Sequence, residues 1–261
     1  ALLVQVRRAE QPGKSATDNQ NFGLAAHRRS GEPRIGMGIA RGLSELQDRL
    51  PPFPLAEARA ILALQLDPKH LASIGEIGEA VAAASIAQVH KILVRSAIET
   101  EAPRHLALKI LRPNIERNFA TELEAFAWAA RLAERLIPDM RRLKPTALVD
   151  TLARSVAIEM DLRLEAAAAV EFAANTAKDA DFRVPAVEWD LTTQRTLATE
   201  WIDATPLKDR DVLIAKGHDT KRLATCVIQS FLKHALRDGF FHADMHPGNL
   251  FVDAEGRLVA V

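Results

Sequence analysis

Apolar residues recur along this chain in two rhythms, and the switches between them divide it into segments. Residues 1 to about 38 mix charges with Gly, Asn, Gln and Ser without sustained periodicity, and are expected to be loosely ordered. A helical rhythm over 39–50 ends at Pro51-Pro52, and another over 55–66 ends at Asp67-Pro68. The stretch 74–94 predicts two strands around a small-residue turn, Ala82-Ala83-Ala84-Ser85, and 105–111 reads as a third strand. Helical spacing rich in Ala and Glu returns over 118–136 and over 146–177, the second predicted as one unusually long helix. Strand-like stretches follow near 184–189 and 196–202. After Asp219, Leu223, Val227, Phe231 and Ala235 repeat every four residues beside Ala224, Ile228, Leu232 and Leu236, which predicts a buried helix stopped by Gly239. A polar loop at 242–249 then leads into a hairpin formed by 250–252, a turn at 253–256, and 258–261.

Length and composition narrow the function more than the fold. A chain of 261 residues holds one large domain or two modest lobes sharing a cleft. Lys plus Arg equals Asp plus Glu at 34 each, so no long-range field gathers nucleic acid, and any polyanion must be met by a local site. The single cysteine, Cys226, cannot form an intrachain disulfide and reads as a small buried hydrophobe. No apolar run approaches the roughly 20 residues that span a bilayer, so the chain is expected to carry no transmembrane segment. The cytoplasm is the default compartment.

The densest chemistry lies in the loop His242-Ala243-Asp244-Met245-His246-Pro247-Gly248-Asn249. Asp244 and Asn249 have the five-residue offset of a kinase catalytic loop, with His242 two residues before the aspartate. An aspartate there can orient a hydroxyl and take its proton, while the asparagine amide oxygen can hold Mg²⁺ on phosphates. A polar turn is the plainer reading of the same residues, and a metal site built on His242, Asp244 and His246 is another. Lys109 ends Ala107-Leu108-Lys109 in a predicted strand, where a kinase places the lysine that meets nucleotide phosphates; an isolated strand lysine is otherwise a solvated edge residue. Glu159, Asp161 and Glu165 offer acidic partners on the long helix, and Asp161 and Glu165 should share one face and repel modestly unless a cation or metal sits nearby. Ala82, Ala83, Ala84 and Ser85 occupy the place of a glycine-rich phosphate cover. Alanine disfavours positive φ, so this loop should be stiffer than a glycine loop. Gly13-Lys14-Ser15 lacks the earlier glycine of a P-loop, because Arg8 stands there.

From about residue 43 to the end, the chain resembles the UbiB family of atypical protein-kinase-like proteins associated with ubiquinone biosynthesis. The likeness rests on Leu46-Gln47-Asp48-Arg49-Leu50-Pro51-Pro52, on Ala82-Ala83-Ala84-Ser85-Ile86-Ala87-Gln88-Val89-His90, on Lys109, on Glu159-Met160-Asp161 with Glu165, and on Phe241 to Asn249. It implies a two-lobed α+β kinase-like fold with a helix-rich N-lobe, a small antiparallel sheet and an incomplete C-lobe. The expected divisions are 1–38 as a divergent segment, 39–201 as helical extension and N-lobe, and 202–261 as partial C-lobe. By the same resemblance, Ala82 to Ser85 form the nucleotide loop, and Lys109 pairs with Glu165 on the phosphates of ATP or ADP. Asp244 is then catalytic, Asn249 holds Mg²⁺, Glu159 and Asp161 form the E-x-D pair, and Glu200 and Trp201 lie at the hinge beside the base. Implied clients are lipid-linked quinone precursors or the enzymes of ubiquinone biosynthesis, met in the cytoplasm or at the inner face of the bacterial membrane through peripheral contact.

The chain departs from the family pattern twice. The K-x-G-Q motif is absent from 1–42, and the D-F-G segment expected directly after Val261 is missing. The resemblance therefore implies weak nucleotide binding and poor turnover by this chain. The alternatives are a small-molecule kinase of the aminoglycoside or choline kinase kind, and a catalytically silent nucleotide-binding scaffold.

Overall fold

A computed structural model describes residues 3–5, 51–96, 102–242 and 246–261, with 3–5 and 242 as backbone only. The helix expected over 39–50 lies outside the described residues. Within the segment expected to be loosely ordered, β1 (Leu3–Gln5) is a strand. The chain next forms α1 (Leu55–Gln65) and α2 (Pro68–Ser73). Asp67 starts α2 by accepting the Lys69 backbone N–H, with Pro68 at a first-turn position where its missing N–H costs nothing.

Then come β2 (Ile74–Ala83), β3 (Ala87–Val94) and β4 (Arg104–Leu111), paired antiparallel in that order. β2 is irregular, with register shifts along its length. At Gly78 an added Cβ would stand 3.1 Å from the Lys91 carbonyl, so the absent side chain lets β3 approach.

Helices α3 (Ile115–Leu136), α4 (Met140–Leu143), α5 (Pro145–Glu159) and α6 (Leu162–Thr176) follow. The single helix expected over 146–177 is thus two helices, parted at Met160 and Asp161. The break has a packing cause. Met160, Leu162 and Ala166 are all buried with Ala87, Leu111 and Leu197 of the sheet, and the Leu162 N–H donates to the Gln194 carbonyl at 2.9 Å. One straight helix would not present Met160 and Leu162 to the same surface, since neighbours two apart diverge around the axis.

Beyond α6 lie β5 (Phe182–Arg183), β6 (Val187–Glu188) and β7 (Thr196–Glu200), so the strand expected over 184–189 is reduced to the two residues of β6, with β5 just before it. β7 and β6 complete a five-stranded sheet in the order β2-β3-β4-β7-β6. β8 (Thr205–Pro206), α7 (Arg210–Ala215), α8 (Thr220–Lys233), β9 (Phe240–His242), β10 (Leu250–Val252) and β11 (Leu258–Ala260) finish the chain. A second sheet runs β5-β11-β10-β8, and β1 pairs antiparallel with β9.

The alternation of β4 decides what each face of the first sheet does. Leu106, Leu108 and Ile110 are buried against Ala58, Ile61 and Leu62 of α1. Ala107 and Lys109, half-buried, point the other way, toward the side that α6 covers. The second sheet has its own core, where Phe172, Phe182, Leu223, Cys226, Phe240, Leu250 and Leu258 meet. Cys226 is therefore the buried hydrophobe its pattern predicts.

Helix α8 was expected to be buried on two stripes but buries one. Leu223, Cys226 and Ser230 face the core, whereas Ile228, Leu232 and Leu236 are exposed among the described residues. Asp219 caps its start by accepting from Lys221 and Arg222 backbone N–H groups. Gly239 in the left-handed region, at φ +64°, ends the π-helical turn His234–Asp238 that extends it.

Candidate functional site

The side of β4 facing α6 brings Lys109 and Glu165 together. Lys109 Nζ donates to Glu165 Oε1 at 2.9 Å and to Oε2 at 2.8 Å, and each side chain is 23% exposed. The helix break explains how Glu165 comes to be there. Because α6 starts afresh at Leu162, Glu165 lies in a first turn, where the unpaired N–H groups favour a carboxylate.

Asp161 has a different place from the one expected. Rather than sharing a helical face with Glu165, it is the N-cap of α6, with Oδ1 accepting the Arg163 N–H at 3.1 Å. Its carboxylate also takes Arg163 Nε at 2.9 Å and Nη2 at 2.6 Å, and that guanidinium holds it below the usual carboxylate range. Each of the two carboxylates meets a cation, Asp161 the Arg163 guanidinium and Glu165 the Lys109 ammonium, the condition under which repulsion between them was not expected. Glu159, half-buried, closes α5 on the other side of the break. The Asp161→Ala variant is expected to lose about 1 kcal/mol of unfolding free energy in urea titration, the usual worth of an N-cap.

Register fixes the neighbours of Lys109. Val89 and Leu197 stand directly opposite it on β3 and β7, Ala82 stands opposite Val89, and Ala107 stands between Lys91 and Thr199. The Ala-rich turn thus lies at the end of the strands whose inner face carries Lys109. β2 runs through Ala82 and Ala83, and Ala84 closes the turn by donating its N–H to the Ala87 carbonyl at 2.8 Å. Ala82, Ala84 and Ser85 are exposed.

At the far end of β7, Glu200 pairs with Arg183, and its N–H donates to the Ala186 carbonyl at 2.8 Å. The Trp201 N–H goes to the His105 carbonyl at 3.3 Å, so neither of these N–H groups is free to donate to a base. The Trp201 ring carries Lys91 Nζ 4.6 Å above its centroid and donates through Nε1 to Asp203 at 2.9 Å.

The second sheet carries the loop. After Trp201 a short connector reaches β8, which pairs with β10, and β10 begins directly after Asn249. Asn249 is half-buried and held by its backbone: its N–H donates to the His246 carbonyl at 2.8 Å and its carbonyl accepts from Val261 at 3.0 Å. His246 Nδ1 accepts the Gly248 N–H at 3.2 Å, and a Cβ on Gly248 would sit 3.1 Å from that nitrogen, so a side chain there would press on the His246 ring. Asp244 and the side chain of His242 lie outside the described residues.

Several contacts were not foreseen. Arg112 and Gln88 bind the Ala-rich turn and the segment before α1, and Asp179 gathers Lys233, His234 and Arg237. A sequence signal existed for one surprise, since Asp161 followed by apolar helical spacing is a helix-start pattern. Asp179 gave none, because its partners lie 54 to 58 residues away.

A five-stranded antiparallel sheet whose inner strand presents a lysine to a helix glutamate, followed by a second small sheet carrying a polar loop, defines a protein-kinase-like fold. The chain belongs to the ABC1 atypical kinase-like domain family, which it matches over residues 45–261. Among its curated relatives is the Probable protein kinase UbiB of Pseudomonas entomophila, 37% identical over 219 residues, which cover 82% of this chain and 39% of that protein. Its counterpart in Shewanella frigidimarina is 34% identical over 82% of this chain and 38% of its own length, and that of Marinobacter nauticus 34% identical over 85% and 41%. The chain therefore spans about two fifths of the length of these relatives. A solved structure of Rv3197 with erythromycin, from Mycobacterium tuberculosis, superposes with a TM-score of 0.60 at 27% identity, over 88% of this chain and 55% of that one.

Proposed function

We propose that this chain is the nucleotide-binding part of a UbiB-type atypical kinase or ATPase, taking ATP or ADP with Mg²⁺. The observation that carries the reading is the bidentate Lys109–Glu165 pair, on the inner face of a sheet whose strands end at the Ala-rich turn. An ammonium fixed by two carboxylate oxygens is held in place and retains a donor for an anion. The donor chemistry fits a polyphosphate. Lys109 would meet the phosphates, Ala82 to Ser85 would cover them, and the segment at Glu200 and Trp201 would border the base. Asn249 would offer an amide oxygen to Mg²⁺ and Asp244 would orient the attacking hydroxyl. The metal, when bound, supplies positive charge against the charge that builds on the transferring phosphoryl group.

Glu159 and Asp161 border the same helix start and would be regulatory. The clients are lipid-linked quinone precursors or the enzymes that make ubiquinone, reached in the cytoplasm or by peripheral contact at the inner face of the bacterial membrane. Among the described residues no helix is long and apolar enough to cross a membrane.

Calorimetric titration of the chain with Mg·ATP and Mg·ADP tests the reading. Saturable, Mg²⁺-dependent binding at one site is expected. Binding with no phosphate release favours a silent scaffold, and no binding to either nucleotide sinks the proposal.

A further inference from the structure

Arg112 follows directly on β4, three residues after Lys109, and its hydrogen bonds converge on the Ala-rich turn. Its backbone N–H donates to the Ile86 carbonyl at 2.9 Å, and its Nε donates to the Ala84 carbonyl at 3.0 Å. Nη1 and Nη2 both reach the Pro51 carbonyl, at 3.2 and 3.1 Å. Arg195 buttresses this from behind, donating through Nη2 to the Arg112 carbonyl at 2.7 Å, with its Nε 3.2 Å from Glu116 as an ion pair.

Gln88 holds the same Pro51-to-Pro54 strap at a second point. Fully buried, it accepts the Phe53 N–H at 2.9 Å and donates to the Phe53 carbonyl at 3.2 Å. Its remaining amide hydrogen goes to His90 Nε2 at 2.8 Å, and His90 Nδ1 then donates to the Gly78 carbonyl at 2.8 Å. Every polar atom of this pair of side chains is thereby satisfied.

A turn without glycine is held here by its carbonyls. Because a trans peptide sets its N–H opposite its C=O, fixing the Ala84 and Ile86 carbonyls toward Arg112 turns the Ser85 and Ala87 N–H groups away from it. The planar fork of a guanidinium can serve the turn and the strap at once, which a lysine point charge cannot do with the same geometry.

We infer that Arg112 is a positioning residue for the phosphate end of the nucleotide site: it sets the peptide groups of the Ala-rich turn and couples that turn to the Pro51-to-Pro54 strap. The inference rests on the reading above that this turn covers nucleotide phosphates. Arg112 acts through the turn, and a displacement of the strap reaches the phosphates through the same guanidinium.

The test compares Arg112→Ala, Arg112→Lys and the unaltered chain by amide hydrogen exchange without nucleotide and by Mg·ATP titration. Both variants are expected to speed exchange at residues 84–87 and to weaken Mg·ATP binding roughly tenfold, the scale of one charge-assisted hydrogen bond. Ile92→Val, a core trim, serves as the control that lowers the melting temperature without moving the affinity. An Arg112→Lys chain that binds like the unaltered one would make charge, not geometry, the cause and overturn the inference. Unchanged exchange at 84–87 in Arg112→Ala would overturn it as well. Should the unaltered chain bind no Mg·ATP, the nucleotide reading falls and takes the phosphate role of Arg112 with it, while the exchange data still decide whether the clamp exists.

Discussion

Replacing Lys109 with Met is expected to weaken Mg·ATP binding by on the order of 10- to 100-fold, the loss of charge-assisted hydrogen bonds to phosphate. The same change strands Glu165 beside a hydrophobic side chain. With each partner 23% exposed, the pair lies between a surface ion pair, worth little, and a buried one, whose breakage costs several kcal/mol. A loss of about 1–3 kcal/mol in urea unfolding is therefore expected for either single substitution, Lys109→Met or Glu165→Leu. The double variant separates fold from function. Removing both charges leaves no stranded group, so stability should recover most of the loss while nucleotide affinity stays low. A double variant that binds Mg·ATP as tightly as the unaltered chain would remove the pair from the site.

How much of this arrangement was legible depended on whether its cause was local. The strands around Lys109 announced themselves by alternation, because Leu106, Leu108 and Ile110 must all reach one core. The helix over residues 146–177 did not announce its break, since Ala- and Leu-rich spacing continues across Met160 and only burial against Ala87, Leu111 and Leu197 forces the turn. Tertiary packing there overrode propensity, and it converted Asp161 from a helix-face charge into a cap. The apolar pattern of α8 overstated its burial for the converse reason. Composition counts hydrophobic positions, but only the side meeting Phe172, Phe182 and Leu258 is covered by described residues. The Lys109–Glu165 pairing followed from the family resemblance, whereas the Arg112 clamp spans residues 51, 84, 86 and 112, which no short-range pattern joins.

The same long-range logic governs Asp179, where a second large effect is expected. Its carboxylate, 7% exposed, accepts from Lys233 Nζ at 2.9 Å, from Arg237 Nη1 at 2.9 Å and Nη2 at 3.0 Å, and from His234 Nε2 at 3.1 Å. Arg237 above all, with Lys233 and His234, holds it well below the usual carboxylate range against the opposing effect of burial. His234 is fully buried, edge-on to Phe172 and Phe182, with no partner on Nδ1 among the described residues. Burial pushes this imidazole below its ordinary value although Asp179 pulls the other way. The neutral ring is the consistent state: Nε2–H donates to Asp179, and protonation would add a buried Nδ1–H with nothing to accept it. Asp179→Ala should accordingly cost about 2–3 kcal/mol, the upper range for hydrogen bonds to a charged group, because the half-exposed Lys233 and Arg237 it leaves behind stay solvated; the readout is a shift in the urea midpoint.

The pH dependence has a definite sign. A histidine depressed in the folded state contributes full stability above its unfolded value near 6.5, and that stability declines as pH falls further, because only the unfolded chain takes the proton. The Asp179 contribution is fully present above the ordinary carboxylate value and is lost only in strong acid, as pH falls toward its folded value. Urea midpoints should thus drop as pH falls below about 6.5 in the unaltered chain, and His234→Gln should flatten that interval while leaving the acid limb below about pH 4 in place. Because the turn His234–Asp238 runs through Gly239 into β9 and so into the loop ending at Asn249, hydrogen exchange in β9 should rise over the same interval. A His234→Gln chain that keeps the unaltered slope below pH 6.5 would assign that slope to other groups and leave His234 a packing residue.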